Sequence, residues 1–349
     1  MSDALDRGLR KSFGDSRVTR DAPLAPLTTF KVGGTADWRV DVRTEGEIRT
    51  AVEIAREWGV PVVPLGVGSN VLVADDGVRA VVLRIHGGEV GHINDERIRA
   101  DAGVTINGLV RWTINRGVAG LEAWAGTPGT VGGAIYGNAH FKGRLIGELA
   151  EQVRLIDRAG RVLDVPAAEM EFAYDYSRLH RTGEVVISAD FRVSHGDSAQ
   201  LRAIARDSLA FRKRTQPLES ASAGCIFQNP LPDRVPSGIP PSAGALVDRA
   251  GLKGAREGRA HVSSRHANFI VNDGGATASD IRTLIGRCKE QVLAKFGVEL
   301  REEIVFLGDF GDTQTGHPRG TSKHGIQTGQ PRLGVPSGDG GKDDGDAQD

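Results

Sequence analysis

Two glycine-rich segments contain the residue types in this sequence that are best suited to bind a phosphate-bearing ligand. They are Pro64–Asn70 (PLGVGSN) and Ala125–Ala134 (AGTPGTVGGA). Glycine lets the backbone approach a ligand closely and turn its N–H groups toward phosphate oxygens, and Ser69 and Asn70 add side-chain donors to the first segment. Either segment alone could be only a turn between strands. Because the two begin about 60 residues apart, we predict that together they hold the pyrophosphate of a dinucleotide.

These segments do not match the common nucleotide-binding patterns. A Rossmann fingerprint needs a helix after the first glycine run, but Val71–Val73 is strand-like and a third glycine is missing at the required offset. The sequence also contains no Gly-Lys-Ser or Gly-Lys-Thr of a P-loop. We therefore expect a dinucleotide that is held outside a Rossmann frame.

Cys225 and Cys288 are further candidates for chemistry, because a thiol can donate a proton and a thiolate can act as a nucleophile. Two cysteines are too few for a disulfide framework or a cysteine-based zinc site, and we predict no metal centre. Cys288 lies on the apolar stripe of a predicted helix, which is typical of a core residue. Cys225 lies between small residues and the polar Asn229–Pro230 turn, so we favour a chemical role over burial as a small hydrophobic side chain.

The overall composition argues against several classes of function. The 349 residues contain 44 Lys and Arg against 45 Asp and Glu, so the net charge of −1 gives no general attraction to nucleic acid or anionic lipid. No apolar run approaches the roughly 18 residues that a membrane-spanning helix needs, and Met1–Asp15 is polar without the apolar core of a secretory signal. We predict a cytoplasmic protein without a nucleic-acid partner or membrane insertion.

The spacing of apolar residues predicts the elements that position the glycine segments. Helices are predicted where apolar residues recur every three or four positions, and strands where they form short buried runs. The predicted helices are Glu47–Trp58, Ile106–Arg116, Gln200–Arg214 and Ser279–Phe296. The predicted strands are Val60–Leu65, Val78–Ile85, Ile98–Ala102, Val153–Asp157, Val162–Val165 and Glu184–Val193. Their order lacks a strict strand–helix–strand rhythm, which favours an α+β fold over a doubly wound parallel sheet.

Composition and element order divide the chain into four regions. We place an N-terminal segment at residues 1–21, a first domain at 22–200 and a second domain at 201–308. The last 41 residues, 309–349, contain 10 glycines and few large apolar side chains, so we predict a disordered tail that is rich in glycine and aspartate.

Seven segments, taken in chain order, form a recognisable series. They are Leu27–Gly34, Pro64–Asn70, Ala125–Ala134, Ser222–Pro230, Ser242–Gly254, His261–Asn272 and Phe296–Ile304. Each is modest by itself, but the series from about residue 25 to 308 resembles the UDP-N-acetylenolpyruvoylglucosamine reductase (MurB) family of peptidoglycan precursor synthesis.

The resemblance implies a two-subdomain FAD-binding domain of the vanillyl-alcohol-oxidase (PCMH) type, followed by a smaller α/β domain that binds a UDP-sugar. It implies that NADPH, as co-substrate, reduces FAD, and that a hydride then passes to C3 of an enolpyruvyl group whose C2 takes up a proton. The residues that the resemblance implies for FAD binding are Gly66, Gly68, Ser69, Asn70, Gly126, Thr127, Gly129, Val131, Gly132 and Gly133. Lys213 and Asn229 are implied to hold the UDP-sugar.

The resemblance also implies two catalytic residues. Cys225 stands where the family has a serine that donates the proton, and a thiol is the stronger acid of the two groups. Glu303 matches a glutamate that polarises the substrate carboxylate, with Glu302 as the alternative in the register of the match.

Besides Cys225, two positions depart from the family pattern. Asp175 stands where the family has an arginine that stabilises the substrate carboxylate, and an aspartate there would repel a developing enolate. We expect Arg178 to supply the missing cation as a catalytic residue from a shifted position. His140 stands where the family has a glycine, either pointing to solvent or lying over the flavin. The alternative functions are a flavin- or UDP-sugar-binding paralogue with altered or lost reductase activity, and a different oxidation on the same scaffold.

Overall fold

Helices and strands are mixed along residues 2–311, which are the residues that the computed structural model of this protein describes. The helices of these residues are α1 (Ser2–Phe13), α2 (Glu45–Glu57), α3 (Ile106–Asn115), α4 (Val131–Tyr136), α5 (Leu179–Thr182), α6 (Ser198–Thr215), α7 (Ala243–Arg249) and α8 (Ala278–Phe296). The strands are β1 (Val18–Pro23), β2 (Thr35–Val42), β3 (Val62–Leu65), β4 (Val71–Val73), β5 (Val78–Ile85), β6 (Val90–Asn94), β7 (Arg97–Asp101), β8 (Val118–Ala119), β9 (His140–Phe141), β10 (Arg144–Leu145), β11 (Ala150–Ile156), β12 (Val162–Pro166), β13 (Val185–Arg192), β14 (Ser194–His195), β15 (Arg256–Glu257), β16 (Ala260–Val262), β17 (Ile270–Asn272) and β18 (Val305–Leu307). This mixture confirms the α+β fold class.

The first sheet has the strand order β1-β2-β5-β3, with β1 antiparallel to β2 and both β2 and β3 parallel to β5. Helix α2 connects β2 to β3 and begins after Thr44, whose hydroxyl accepts a hydrogen bond from the N–H of Glu47. Its apolar face, which includes Ile48 and Val52, is buried in the core. Helix α2 and β3 confirm the predicted helix-then-strand unit, and β3 ends directly before the glycines of the first segment.

The second sheet is antiparallel, with the order β12-β11-β13-β7-β6. Strands β11 and β12 correspond to the predicted strands Val153–Asp157 and Val162–Val165 and form a hairpin. In its turn Gly160 has a positive φ of 83°, and the N–H of Asp157 donates to the carbonyl of Arg161. Strand β13 is buried over most of its length, and α4 packs against it. The second glycine-rich segment leads into α4, so it is anchored on the centre of this sheet.

The C-terminal part contains the small antiparallel sheet β15-β16-β17, against which α8 packs. The apolar stripe of α8 is buried and includes Cys288, which confirms the prediction that this cysteine is a core residue. Phe30 and Leu72, from the N-terminal part, belong to the same core, and β18 lies parallel to β4. The C-terminal part therefore packs beside the first glycine-rich segment, which lies between β3 and β4.

Helix α6 links the two parts of the chain. Leu201, near its start, is buried in the core that also contains the strands of the five-stranded sheet. The boundary that we placed at residue 200 lies within the first turn of this helix and stays a prediction. The predicted tail, 309–349, lies outside the described residues from residue 312 onward. Among residues 2–311, no helix has the combination of length and apolar character that crossing a membrane requires.

Candidate functional site

The first glycine-rich segment forms an open loop, residues 66–70, between β3 and β4. Gly68 has a positive φ of 62°, and a Cβ atom added to it would lie 2.4 Å from the carbonyl oxygen of Leu27. A larger residue at this position would have to displace backbone. Within residues 2–311, the N–H groups of Val67, Gly68 and Ser69 make no hydrogen bond to the protein. These donors are free to bind the oxygens of a phosphate group.

The second glycine-rich segment lies against the first. The hydroxyl of Ser69 donates to the carbonyl of Pro128 at 3.3 Å, and a Cβ atom on Gly66 would lie 2.5 Å from the hydroxyl oxygen of Thr130. Gly129 has a positive φ of 138°, and a Cβ atom there would contact the hydroxyl of Ser69. The two loops thus form one continuous surface lined by glycine, and the first loop adds unpaired donors to it. A dinucleotide pyrophosphate fits such a surface.

Val131 and Gly132 shape this surface and do not offer free donors. The N–H of Val131 donates to the carbonyl of Val104, and the N–H of Gly132 donates to the carbonyl of Ala102. A Cβ atom on Gly132 would lie 3.1 Å from the Cβ atom of Ala102. Close packing of this loop on the sheet therefore accounts for the glycine at position 132.

A buried arginine that we did not identify from the sequence lies beside the second loop. Arg212 is 6% exposed, donates to the hydroxyl of Thr127 at 2.7 Å, and places its guanidinium carbon 3.9 Å from the centroid of the Phe141 ring. In the described part of the chain its Nε atom is buried without a hydrogen-bond partner. Burial lowers the pKa of Arg212 to about 10, so the side chain stays a cation at neutral pH.

Helical spacing is the signal that could have identified this arginine. Leu201, Ser208 and Arg212 are the buried residues of α6, and intervals of seven and four residues place them on one face of the helix. A run of basic residues at the end of a helix is usually exposed, which hides this signal. Lys213, the member of that run to which the resemblance assigned a UDP-sugar contact, is exposed, and its role stays a prediction.

The first loop is tied to the segment that contains Glu303. The side-chain amide of Asn70 donates to the carbonyl of Glu303 at 3.2 Å, and the N–H of Val305 donates to the carbonyl of Asn70. The N–H of Glu303 in turn donates to the carbonyl of Ile226, which follows Cys225. The glycine-lined surface and the segments of both candidate catalytic residues are therefore directly connected.

Cys225 and Glu303 belong to a cluster of polar side chains that also includes three residues of the N-terminal part. His140, Asp175 and Glu303 each place a side-chain nitrogen or oxygen within 4.8 Å of the other two. The Nδ1 atom of His140 lies 2.9 Å from Oδ1 of Asp175, and the hydroxyl of Tyr174 lies 3.4 Å from Nε2 of His140. The cluster thus contains two carboxyl groups, an imidazole, a phenol and a thiol.

Burial and neighbouring negative charge keep the thiol of Cys225 protonated. Burial raises the pKa of this thiol well above its ordinary value, and the carboxyl groups of Glu303 and Asp175 raise it further. Burial also raises the pKa of Glu303 well above its ordinary value, with an added contribution from Asp175. At neutral pH the thiol can therefore act as an acid, whereas the thiolate nucleophile is disfavoured.

Glu302, the alternative match to the family's glutamate, forms ion pairs outside this cluster. Its carboxylate binds Lys289 at 2.9 Å and Arg282 at 3.3 Å, both on α8. Successive residues of an extended segment point to opposite sides. The carboxyl group at position 303, and not the one at 302, therefore lies with Cys225.

Two other candidate residues make structural contacts. The guanidinium of Arg178 is held by the carboxylate of Glu184 at 2.7 and 3.0 Å, so the cation that we expected to act near Asp175 is engaged in an ion pair. The side-chain oxygen of Asn229 accepts a hydrogen bond from the N–H of Ala243 at the start of α7. Their roles in catalysis and substrate binding stay predictions.

Comparisons with known proteins find relatives over most of the chain. Residues 216–307 match the family model for the C-terminal domain of UDP-N-acetylenolpyruvoylglucosamine reductase, and residues 36–166 match the model for an FAD-binding domain. The chain is 38% identical over 322 residues to the reductase of that name from Heliobacterium modesticaldum, covering 87% of this chain and 100% of the relative. Its identity to the reductase from Clostridioides difficile is 36%, over 83% of this chain and 93% of the relative. A crystal structure of the Thermus caldophilus reductase matches with a TM-score of 0.70 and 32% identity, covering 84% of this chain and 99% of that one.

Proposed function

This chain belongs to the UDP-N-acetylenolpyruvoylglucosamine reductase family, and we propose that it reduces the enolpyruvyl group of UDP-N-acetylglucosamine enolpyruvate to give UDP-N-acetylmuramate. The observation that carries this proposal is the connection, through Asn70 and Glu303, between the glycine-lined surface and the cluster that contains Cys225. An acid thereby lies next to the place where a dinucleotide fits. The FAD-binding domain at residues 36–166 identifies FAD as that dinucleotide.

The residues of the two glycine loops suit FAD. Bound FAD supplies hydride transfer to the substrate, and we propose NADPH as the source of the electrons. The free N–H groups of Val67, Gly68 and Ser69 bind the pyrophosphate, while the glycines at positions 126 and 129 let the backbone of the second loop come close to it.

Cys225 supplies the proton in this proposal. C3 of the enolpyruvyl group receives a hydride and C2 receives a proton, so the double bond becomes a single bond and no group leaves. The protonated thiol of Cys225 donates that proton and regains one from solvent. The raised pKa of Glu303 favours the protonated form of its carboxyl group, which can donate a hydrogen bond to the substrate carboxylate.

Replacing Arg212 and Arg178 separately should distinguish a cation that supports turnover from one that supports folding. Arg212→Gln removes the buried positive charge that lowers the pKa of the Cys225 thiol, and we expect kcat to fall about 100-fold.

Arg178→Ala leaves the carboxylate of Glu184 buried without its ion-pair partner. We expect the free energy of unfolding to fall by about 3 kcal/mol, with kcat within about twofold of wild type. Steady-state kinetics and urea denaturation measure the two effects. A large fall in kcat for Arg178→Ala at full folding would support the sequence-based role of Arg178 instead.

The proposed activity can be tested directly on purified protein. We expect a yellow protein whose oxidation of NADPH depends strictly on the enolpyruvyl UDP-sugar and yields one UDP-N-acetylmuramate for each NADPH. FAD-loaded protein that does not oxidise NADPH with this acceptor would instead fit a binding paralogue. Reduction of its flavin by an alcohol or a sugar would fit a different oxidation on the same scaffold. The cytoplasmic location and the absence of a nucleic-acid partner stay predictions from the sequence.

A further inference from the structure

Two of the residues in the polar cluster, His140 and Asp175, are hydrogen-bonded to each other although they lie 35 residues apart in the chain. Their loops are joined by Asn138, whose side-chain amide donates to the carbonyl of Ala173 and whose side-chain oxygen accepts from the N–H of Gly147. Asn138 is fully buried. Hydrogen bonds from a buried side chain therefore fix the two loops that carry His140 and Asp175, which distinguishes this pair from a contact between two mobile surface side chains.

The backbone around the pair adopts an uncommon conformation. Asp175 has a positive φ of 53°, and Asn138 and Lys142, on either side of His140, have values of 46° and 50°. A tight turn fixes Asp175, since the N–H groups of Ala173 and Tyr176 each donate to the carbonyl of the other. Left-handed backbone costs free energy in residues other than glycine, and such residues cluster at functional sites.

The hydrogen bond between Asp175 and His140 determines which nitrogen of the imidazole can bind a ligand. The side chain of Asp175 is 6% exposed, and within residues 2–311 its Oδ2 atom has no hydrogen-bond partner. A carboxylate accepts hydrogen bonds, so the contact places a hydrogen on Nδ1 of His140 and leaves Nε2 as the outer end. The His140 side chain is 25% exposed, and Nε2 lies 3.4 Å from the hydroxyl of Tyr174.

The charged groups around Cys225 leave the substrate carboxylate in need of a hydrogen-bond donor near His140. The carboxyl groups of Asp175 and Glu303 raise the pKa of the Cys225 thiol, and the guanidinium of Arg212 lowers it. The guanidinium of Arg212 already donates to Thr127 beside the second glycine loop. The substrate proposed above has a carboxylate next to the carbon that takes up the proton, and negative charge develops there during the reaction. Without a donor, Asp175 would repel that charge.

We propose that His140 is a catalytic residue, oriented by Asp175, that donates a hydrogen bond from Nε2 to the carboxylate of the enolpyruvyl substrate. This inference rests on the proposed function. In this role the imidazole donates from Nδ1 to the carboxylate of Asp175 and from Nε2 to the substrate carboxylate, because a carboxylate can only accept. The hydrogen bond from Nε2 stabilises the negative charge that develops on the substrate, against the repulsion from Asp175. Asp175 is a positioning residue, since it acts through His140.

The two half-reactions of the full-length, FAD-loaded protein separate this role from flavin reduction. In His140→Gly, reduction of the flavin by NADPH should stay within about twofold of wild type, while reoxidation by the enolpyruvyl UDP-sugar should slow about 100-fold. Added imidazole should restore part of the reoxidation rate, because it can enter the space that the side chain leaves. His140→Gln, which keeps an N–H donor, should retain more activity than His140→Gly.

Two further variants complete the test. Asp175→Asn keeps the imidazole but loses the carboxylate that orients it, so reoxidation should slow about tenfold without rescue by imidazole. His92→Ala is the matched control, because this exposed histidine packs on Trp112 and should leave both half-reactions unchanged.

Three outcomes would overturn the inference. The first is a wild-type reoxidation rate in His140→Gly, and the second is a slow rate that imidazole does not raise. The third is loss of wild-type reoxidation on addition of EDTA with recovery on addition of a divalent ion, since His140, Asp175 and Glu303 would then be metal ligands. Failure of the proposed function is distinguishable from all three, because the wild-type protein itself would then not be reoxidised by the enolpyruvyl UDP-sugar.

Discussion

Turnover of Cys225→Ala is expected to fall by about 10²- to 10⁴-fold, the size of a general acid contribution, whereas Cys225→Ser should keep most of the wild-type rate. The thiol is held in its protonated form by burial and by the neighbouring carboxyl groups, which is the form that a proton donor needs. Alanine has no proton to give, and serine restores a hydroxyl donor. The loss should appear in the reoxidation of reduced flavin by the substrate, followed by stopped-flow absorbance, and not in flavin reduction by NADPH.

Cys288→Ala is the matched control for this experiment. That cysteine lies on the apolar stripe of α8 and is buried in the core, so its replacement should lower the free energy of unfolding by about 1 kcal/mol and leave turnover unchanged. Wild-type turnover in Cys225→Ala would show that another group donates the proton. The FAD-binding domain and the family membership would be unaffected by that result.

Gly68→Ala is expected to bind FAD at least about 100-fold more weakly and to be isolated with little bound flavin. The new Cβ atom would lie 2.4 Å from the carbonyl oxygen of Leu27 and 2.9 Å from the Cα atom of Thr28, and backbone atoms cannot rotate away as side chains can. The positive φ of 62° adds about 1–2 kcal/mol of strain for a residue with a Cβ atom. The loop must therefore shift, which moves the free N–H groups of Val67 and Ser69 away from the pyrophosphate. Flavin absorbance of the purified protein and titration of the apoprotein with FAD measure the effect.

Gly286→Ala, in α8, is the control for the loss of a glycine. A Cβ atom there has no neighbour within 4 Å, so the variant should bind FAD normally and gain about 0.5–1 kcal/mol of stability from the higher helix propensity of alanine. A full complement of FAD in Gly68→Ala would mean that the first loop does not hold the cofactor.

The helices and strands that were predicted from the sequence agree with the structure to within a few residues. Strand Val78–Ile85 has the predicted bounds, and the last helix begins one residue before the predicted Ser279. Apolar spacing is a local property of the chain, so it can be detected without knowledge of the packing. The same pattern identified Cys288 as a core residue.

The contacts within the candidate site were harder to predict. His140 and Asp175 were recognised as two separate departures from the family pattern, and their hydrogen bond was not foreseen. Arg212 was overlooked because a run of basic residues at a helix end is usually exposed, whereas α6 packs its face against the second glycine loop. The choice between the neighbouring Glu302 and Glu303 depended on which side of an extended segment faces Cys225.

The sequence by itself determined the fold class, the family and the chemical groups available to the site, because apolar spacing and contiguous motifs are properties of the chain as a linear string. Only the tertiary structure decided which of these groups meet. In that structure Arg178 forms an ion pair with Glu184, and one cluster contains His140, Asp175, Cys225 and Glu303. The physical reason is that contacts between residues far apart in the chain depend on how sheets, helices and loops pack against one another, and local patterns do not record that packing.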